Sequence, residues 1–108
     1  MSQDHLGEFE QMVLLSILRL DDDAYGLAII GELEKVADRV PATGAIYTTL
    51  DRLERKGLIE SYAGDATGER GGRPRRYVRV TSEGRTHLAR SRHTLMALWR
   101  GLEGVLDR

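Results

Sequence analysis

The chain has no cysteine. It therefore has no disulfide framework, no thiol nucleophile and no Cys-based metal or redox switch, a composition that suits a reducing cytoplasm. Long apolar runs are missing too. The stretch from Met12 to Leu18 is interrupted by Ser16 and falls far short of the roughly 20 residues a membrane span needs. The N-terminus carries no basic region followed by a cleavage pattern, so no signal peptide is read there. Histidine is scarce: His5 lies near a terminus, and His87 and His93 are six residues apart, on different faces of a helix. No nucleophile, acid and base converge in such a pattern, and the chain does not read as an enzyme. The triplet Asp21, Asp22, Asp23 is not followed by oxygen ligands and a glycine at calcium-loop spacing, so neither metal nor other cofactor is expected.

An excess of charge is also absent, the formal net charge being −1, but that total hides a segregation. Residues 1–38 hold nine acids against Arg19 and Lys35, whereas residues 70–92 hold eight arginines against Glu83 alone. The basic block is arginine only, the residue whose planar fork suits phosphate oxygens and guanine edges. An acidic half set against a basic half can orient a molecule on DNA. The arginines could equally coat a solvated hairpin and pair with the acids of the first half.

With 108 residues and 41% hydrophobic content, the chain makes one domain near the size at which oligomerisation often supplements stability. Leu6, Phe9, Val13, Ile17 and Leu20 recur at spacings of three and four, widened by Leu14 and Leu18, which predicts a largely buried first helix over 6–20. The aspartate triplet then marks a turn that can cap the next helix. That helix, over about 25–37, is expected to turn Leu27, Ile30, Leu33 and Val36 or Ala37 inward and Glu32, Glu34 and Lys35 outward.

Pro41 breaks the chain before a third helix, for which Thr43 is the expected N-cap. Ile46, Leu50 and Leu53 form its buried stripe, and Gly57 supplies its stop before a strand begins at Leu58. The outer face carries Ala45, Tyr47, Thr48, Asp51, Arg52 and Arg55. Small and hydroxylated residues there let the backbone approach a major groove, and Thr48 can bond a base edge or a phosphate. Tyr47 can serve phosphate with its phenol or pack as a half-buried core residue. Arg52 and Arg55 are either phosphate contacts or members of helix-stabilising pairs with Asp51 and Glu54.

Strands are expected over 58–63 and 75–80, the second with Val78 and Val80 on one face and Tyr77 and Arg79 on the other. Between them, GDATGERGGRP at 64–74 is too polar and glycine-rich to pack. It reads as a wing, whose Arg70, Arg73, Arg75 and Arg76 can lie along a minor groove or its phosphates. Thr81 caps a last helix that continues to about Leu106, with Leu88, Arg92, Leu95, Trp99, Leu102 and Leu106 in a coiled-coil-like stripe. Nearly 40 Å of helix, at about 1.5 Å per residue, outruns a core this small. A twofold dimer through this helix and the first one, using Leu6, Phe9, Leu88, Leu95, Trp99, Leu102 and Leu106, would present two recognition helices to half-sites roughly 34 Å apart. Trp99 reads as a dimer-core anchor or as an aromatic wall of an effector pocket at that interface.

The fold class expected is mainly α with a small β-hairpin: a winged helix-turn-helix over 1–81 and a long C-terminal dimerisation helix over 82–108, forming one compact unit. The runs LGEFEQMVLLSILRL, DDAYG, GAIYTTLDRLERKGLI and ERGGRPRRYVRVTSEGR, in that order, resemble the PadR family of bacterial transcriptional regulators, with a single helix after the wing as in its short subgroup. The resemblance implies a cytoplasmic homodimer, usually a repressor, that binds operator sites in double-stranded DNA. It implies DNA contact by Tyr47 and its neighbours and by the wing arginines, and dimerisation through the last helix. It also implies release of DNA by a small aromatic effector in some members, with Trp99 resembling the tryptophan that stacks on the ligand in multidrug-sensing ones. A rival expectation is a winged-helix adaptor that binds protein rather than DNA.

Overall fold

A computed structural model describes residues 6–64 and 75–107. Helix α1 spans Glu8–Leu20, α2 Gly26–Ala37, α3 Thr43–Arg55 and α4 Ser82–Trp99. Strands β1, Ile59–Ala63, and β2, Arg76–Val80, lie between α3 and α4. Single 3₁₀ turns occupy Asp21–Asp23 and Val105–Asp107. The strands pair antiparallel from Ile59 opposite Val80 to Ala63 opposite Arg76. On the other edge of β2, the Val78 amide donates to the Ala24 carbonyl at 2.9 Å, and Tyr25 bridges Tyr77. The turn before α2 is thus stitched to the hairpin.

Val13, Leu14 and Ile17 of α1, Ile29 and Leu33 of α2, and Ile46, Leu50 and Leu53 of α3 close one core with Leu58, Ile59, Val78 and Val80. The stripe expected for α3 is the one observed. Its stop is a glycine-terminated cap: Gly57 adopts φ 78°, its amide donates to the Glu54 carbonyl, and the Leu58 amide reaches back to Leu53, both at 3.0 Å. That left-handed turn aims the chain straight into β1. At the start of α4, Thr81 accepts a hydrogen bond from the Gly84 amide at 3.0 Å, as expected of its cap.

Four expectations are corrected. Thr43 is the first helical residue of α3 and Ala42, extended at φ −64° and ψ 147°, is the cap, with no side-chain bond. In α2, Leu27 and Val36 are exposed, whereas Glu32 is buried. The inward face is rotated onto Ile29 and Leu33, and Glu32 is admitted because the Arg19 Nε donates to it at 2.6 Å. The aspartate triplet forms its own turn, and α2 begins from Tyr25 without a side-chain cap. Finally, α4 ends at Trp99 rather than near Leu106. Gly101, at φ 86°, reverses the chain in a left-handed conformation that glycine adopts without strain. Leu102 and Leu106 therefore lie beyond the helix. Its 18 residues span about 27 Å rather than nearly 40 Å.

Candidate nucleic-acid interface

Burial on α3 is strictly one-sided. Ile46, Thr49, Leu50 and Leu53 face the core, while Thr43, Ala45, Tyr47, Thr48, Asp51, Arg52 and Arg55 are exposed. The first turn has no side-chain cap, so its amides remain available to an oxyanion, as phosphate recognition at a helix start requires. Thr43 and Ala45 lie on that first turn, with Tyr47 and Thr48 on the next. Tyr47 packs its ring against Gly26 at the start of α2, where a Cβ would stand 2.6 Å from the ring Cζ. The phenol end of the ring is what meets Gly26, so Tyr47 braces α2, and the residue as a whole is 38% exposed.

The arginines divide by what already holds them. Arg76 is committed to its own chain. Its guanidinium donates to Glu54 at 2.8 Å, to Asp51 at 3.3 Å and to the Ser61 hydroxyl at 2.9 Å, while Ser61 donates to Glu54 at 2.7 Å. Among the described arginines of the hairpin, Arg76 is the one whose donors are taken up by two carboxylates of α3. The hydrogen bond from Ser61, foremost, holds the Glu54 carboxyl below its ordinary pKa of 4.5, with burial opposing and Arg76 adding to the lowering. The Arg75 guanidinium lies 4.0 Å above the Tyr25 ring. Arg79 pairs with Glu60 at 2.9 Å and lies over Tyr62. With Tyr25 edge-on to Tyr77 and Tyr77 stacked on Tyr62, a continuous stack runs from Arg75 to Arg79. Arg55 makes no ion pair among the described residues. Arg70 and Arg73 lie outside the described residues.

At the other end of α3, the buried Glu10 of α1 receives Lys56 at 3.0 and 3.3 Å and also accepts from the Gly7 amide at 3.1 Å. Arg52, 4.0 Å from Glu10, sits at the margin of the same cluster. The sequence reading missed Glu10. Its one signal was an acid in the first turn of α1, which also marks a capping box. It missed the tyrosine stack as well, because residues 25, 62 and 77 meet only through the hairpin.

Leu88 is the one residue of α4 in the buried core, and Leu95, Met96, Leu98 and Trp99 are exposed. Leu95, Met96 and Trp99, together with Leu15 and Leu18 of α1, wall an open groove of about 520 Å³ that Arg85 and Arg92 also line. Leu6 and Phe9 pack against the chain's own core, and the Arg39 guanidinium lies 5.2 Å over the Phe9 ring. The open apolar position of α1 is Leu15, 49% exposed.

An exposed, small-residue helix between a braced turn and an arginine-bearing hairpin is the geometry of a DNA-reading winged helix. The family model for PadR-like transcriptional regulators matches residues 14–90. The chain belongs to the PadR-like family of transcriptional regulators. An uncharacterised protein of Lysinibacillus sphaericus is 30% identical over 103 residues, 94% of this chain and 86% of the relative. A PadR family regulator of Clostridium difficile R20291 superposes with a TM-score of 0.68 at 27% identity, over 92% of this chain and 95% of that one. A PadR-like regulator of Bacillus cereus gives a TM-score of 0.73 at 23% identity, over 93% and 92%, a likeness of fold. Membership in the PadR-like family makes the chain a regulator of transcription that works through DNA, not an enzyme. Among the described residues, no helix of this PadR-like chain is long and apolar enough to cross a membrane.

Proposed function

We propose that the chain binds a pseudo-palindromic operator in double-stranded DNA as a homodimer, represses the genes beside it in the cytoplasm, and is released by a small aromatic effector. The observation that carries this reading is the outer face of α3. Thr43, Ala45, Tyr47 and Thr48 occupy the first two turns of a helix whose start has no side-chain cap, while Arg52 and Arg55 follow about one and two turns after Thr48. In this reading Thr48 reaches base edges, and Tyr47, Arg52, Arg55 and the wing residues Arg70, Arg73 and Arg75 serve phosphates. Arg76 is left out of that set because Asp51 and Glu54 hold it.

Residues 1–81 then act as the DNA-binding part and 82–108 as the dimerisation part of one unit. Dimerisation is supported by the open apolar face of α4, with Leu95 and Trp99 on the helix and Leu102 and Leu106 on the turn after it, each at least two-fifths exposed. Leu88 anchors the base of that helix. The effector reading rests on Trp99 in the α1–α4 groove, whose size suits a small aromatic molecule.

The test is fluorescence anisotropy with a duplex enriched by the purified protein from a random pool, against a scrambled duplex, at several salt concentrations. Selective, salt-steep binding by a dimer is the expected result, the affinity falling with salt as counterions are released. Equal, weak binding to both duplexes would instead favour a protein-binding adaptor.

A further inference from the structure

The recognition helix carries two carboxylates on the side that meets the hairpin, and both are accessible: the Asp51 side chain is 56% exposed and that of Glu54 43%. Exposed acids on a surface built to meet a polyanion oppose affinity, so their presence needs an account. Arg76 covers them only in part. One guanidinium serves two carboxylates, which leaves the cluster with a local formal charge of −1. Asp51 lies one turn after Tyr47 and Thr48 on the exposed side of α3, the side along which a phosphate path would run. Arg76 opens β2, directly after Arg75, so the same bonds also fix where the base of the wing stands relative to α3.

We propose that Asp51, Glu54 and Arg76 form a selectivity filter on the DNA-binding surface: the acids hold Arg76 away from phosphate and repel any duplex whose backbone is not shaped to pass clear of them. This rests on the DNA-binding reading above. A fixed negative charge beside the groove penalises non-specific docking, in which the duplex can settle in many registers. It penalises much less a site whose groove width and bend carry the phosphates past it. Selectivity is then gained by lowering affinity for the wrong duplexes, a repulsive device rather than an added contact.

Isosteric Asp51→Asn and Glu54→Gln keep amide oxygens as acceptors for Arg76 while removing the charge. The experiment compares wild type, both single variants and the double variant. Each is titrated with a duplex enriched by the wild-type protein and with its scrambled counterpart over a range of salt, with thermal unfolding as the control for folding. Affinity for the scrambled duplex should rise by roughly fivefold per charge removed, and affinity for the enriched duplex by less than about threefold. Neutral amides hold a guanidinium more weakly than carboxylates do, so the salt slope on the scrambled duplex should steepen by about one as Arg76 turns to a phosphate. Arg76→Gln, which uncovers both acids, should move the ratio the other way and weaken scrambled binding more than enriched binding. A ratio unchanged in all variants, with both duplexes shifting together, would overturn the filter while leaving DNA binding intact. Failure of the wild type to enrich any sequence would overturn the DNA-binding reading, and the filter with it.

Discussion

The ring of Tyr47 lies against the backbone of Gly26, so close that a Cβ on residue 26 would stand 2.6 Å from the ring Cζ and 3.0 Å from Cε1. The contact joins the middle of the recognition helix to the first residue of α2, and residue 26 must be glycine for the ring to lie there. Gly26→Ala therefore forces the tyrosine outward, toward the surface that α3 presents. Because Tyr47 is already 38% exposed, the ring can move, and alanine favours a helix by up to about 1 kcal/mol over glycine. Unfolding measurements should show a change of no more than about 1 kcal/mol. DNA affinity should fall at least roughly tenfold, because a displaced ring blocks the close approach on which phosphate and base contacts depend.

Two carboxylates are held below their ordinary pKa by bonds made in the fold. Glu32 is held below its ordinary 4.5 first by its hydrogen bond from Arg19, with Lys35 adding charge attraction and burial opposing. Glu54 is held down by Ser61 and Arg76. A carboxyl whose folded-state pKa is depressed contributes stability that is fully present above its unfolded value and is lost as pH falls through the folded value. Stability should thus be level from neutrality down to about pH 5 and decline below about pH 4.5. Glu32→Gln should lower the neutral-pH midpoint and flatten the decline, measured by urea unfolding at a series of pH values. An unchanged acid slope would remove Glu32 from the account.

The helix order, the α3 stripe, the Gly57 stop, the Thr81 cap and the strand alternation of β2 were all legible because each depends on a local rule: a spacing, a cap or a turn residue. Rotation of α2 was not. Periodicity gave the stripe Leu27, Ile30, Leu33, but the Arg19–Glu32 pair joins residues 13 apart, and such pairing allows a carboxylate inward where hydropathy alone forbids it. The division among the arginines was equally hidden. Composition counts Arg75 and Arg76 alike, whereas the hairpin register places one over Tyr25 and the other between Asp51 and Glu54. The end of α4 was hidden, because the apolar stripe ran on through Leu102 and Leu106 past the turn at Gly101.

Gly84 sets the seat of α4 on the hairpin. It is buried, and a Cβ there would press on the Leu58 carbonyl oxygen and stand 2.7 Å from Val80 Cγ1 and 3.2 Å from the Leu58 carbonyl carbon. Backbone cannot give way as a flexible side chain can, so Gly84→Ala must lift the helix or displace β1. Overpacking of this kind costs about 1–3 kcal/mol, enough to outweigh the better helix propensity of alanine. The expected result is a thermal midpoint lower by several degrees, with the shift read by calorimetry.

Two positions on α4 separate folding from association. Leu88 belongs to the core at 9% exposure, whereas Leu95 is 48% and Trp99 41% exposed in the single chain. Leu88→Ala removes buried contacts and should cost about 2–4 kcal/mol of stability. Leu95→Lys and Trp99→Lys remove no buried contact from the chain's own core, and the isolated chain should keep its helix content. If the open face of α4 is the dimer interface, each lysine must lie in an apolar seam, and loss of a central anchor costs about 2 kcal/mol or more. The dimer dissociation constant should rise roughly thirtyfold or more. Sedimentation velocity across a concentration series would show wild type as a dimer, Leu88→Ala as a less stable chain, and the lysine variants as folded monomers. Binding to the enriched duplex should weaken in step with dimer loss, because only a dimer engages both half-sites at once. Lysine variants that remain dimeric would place the interface elsewhere.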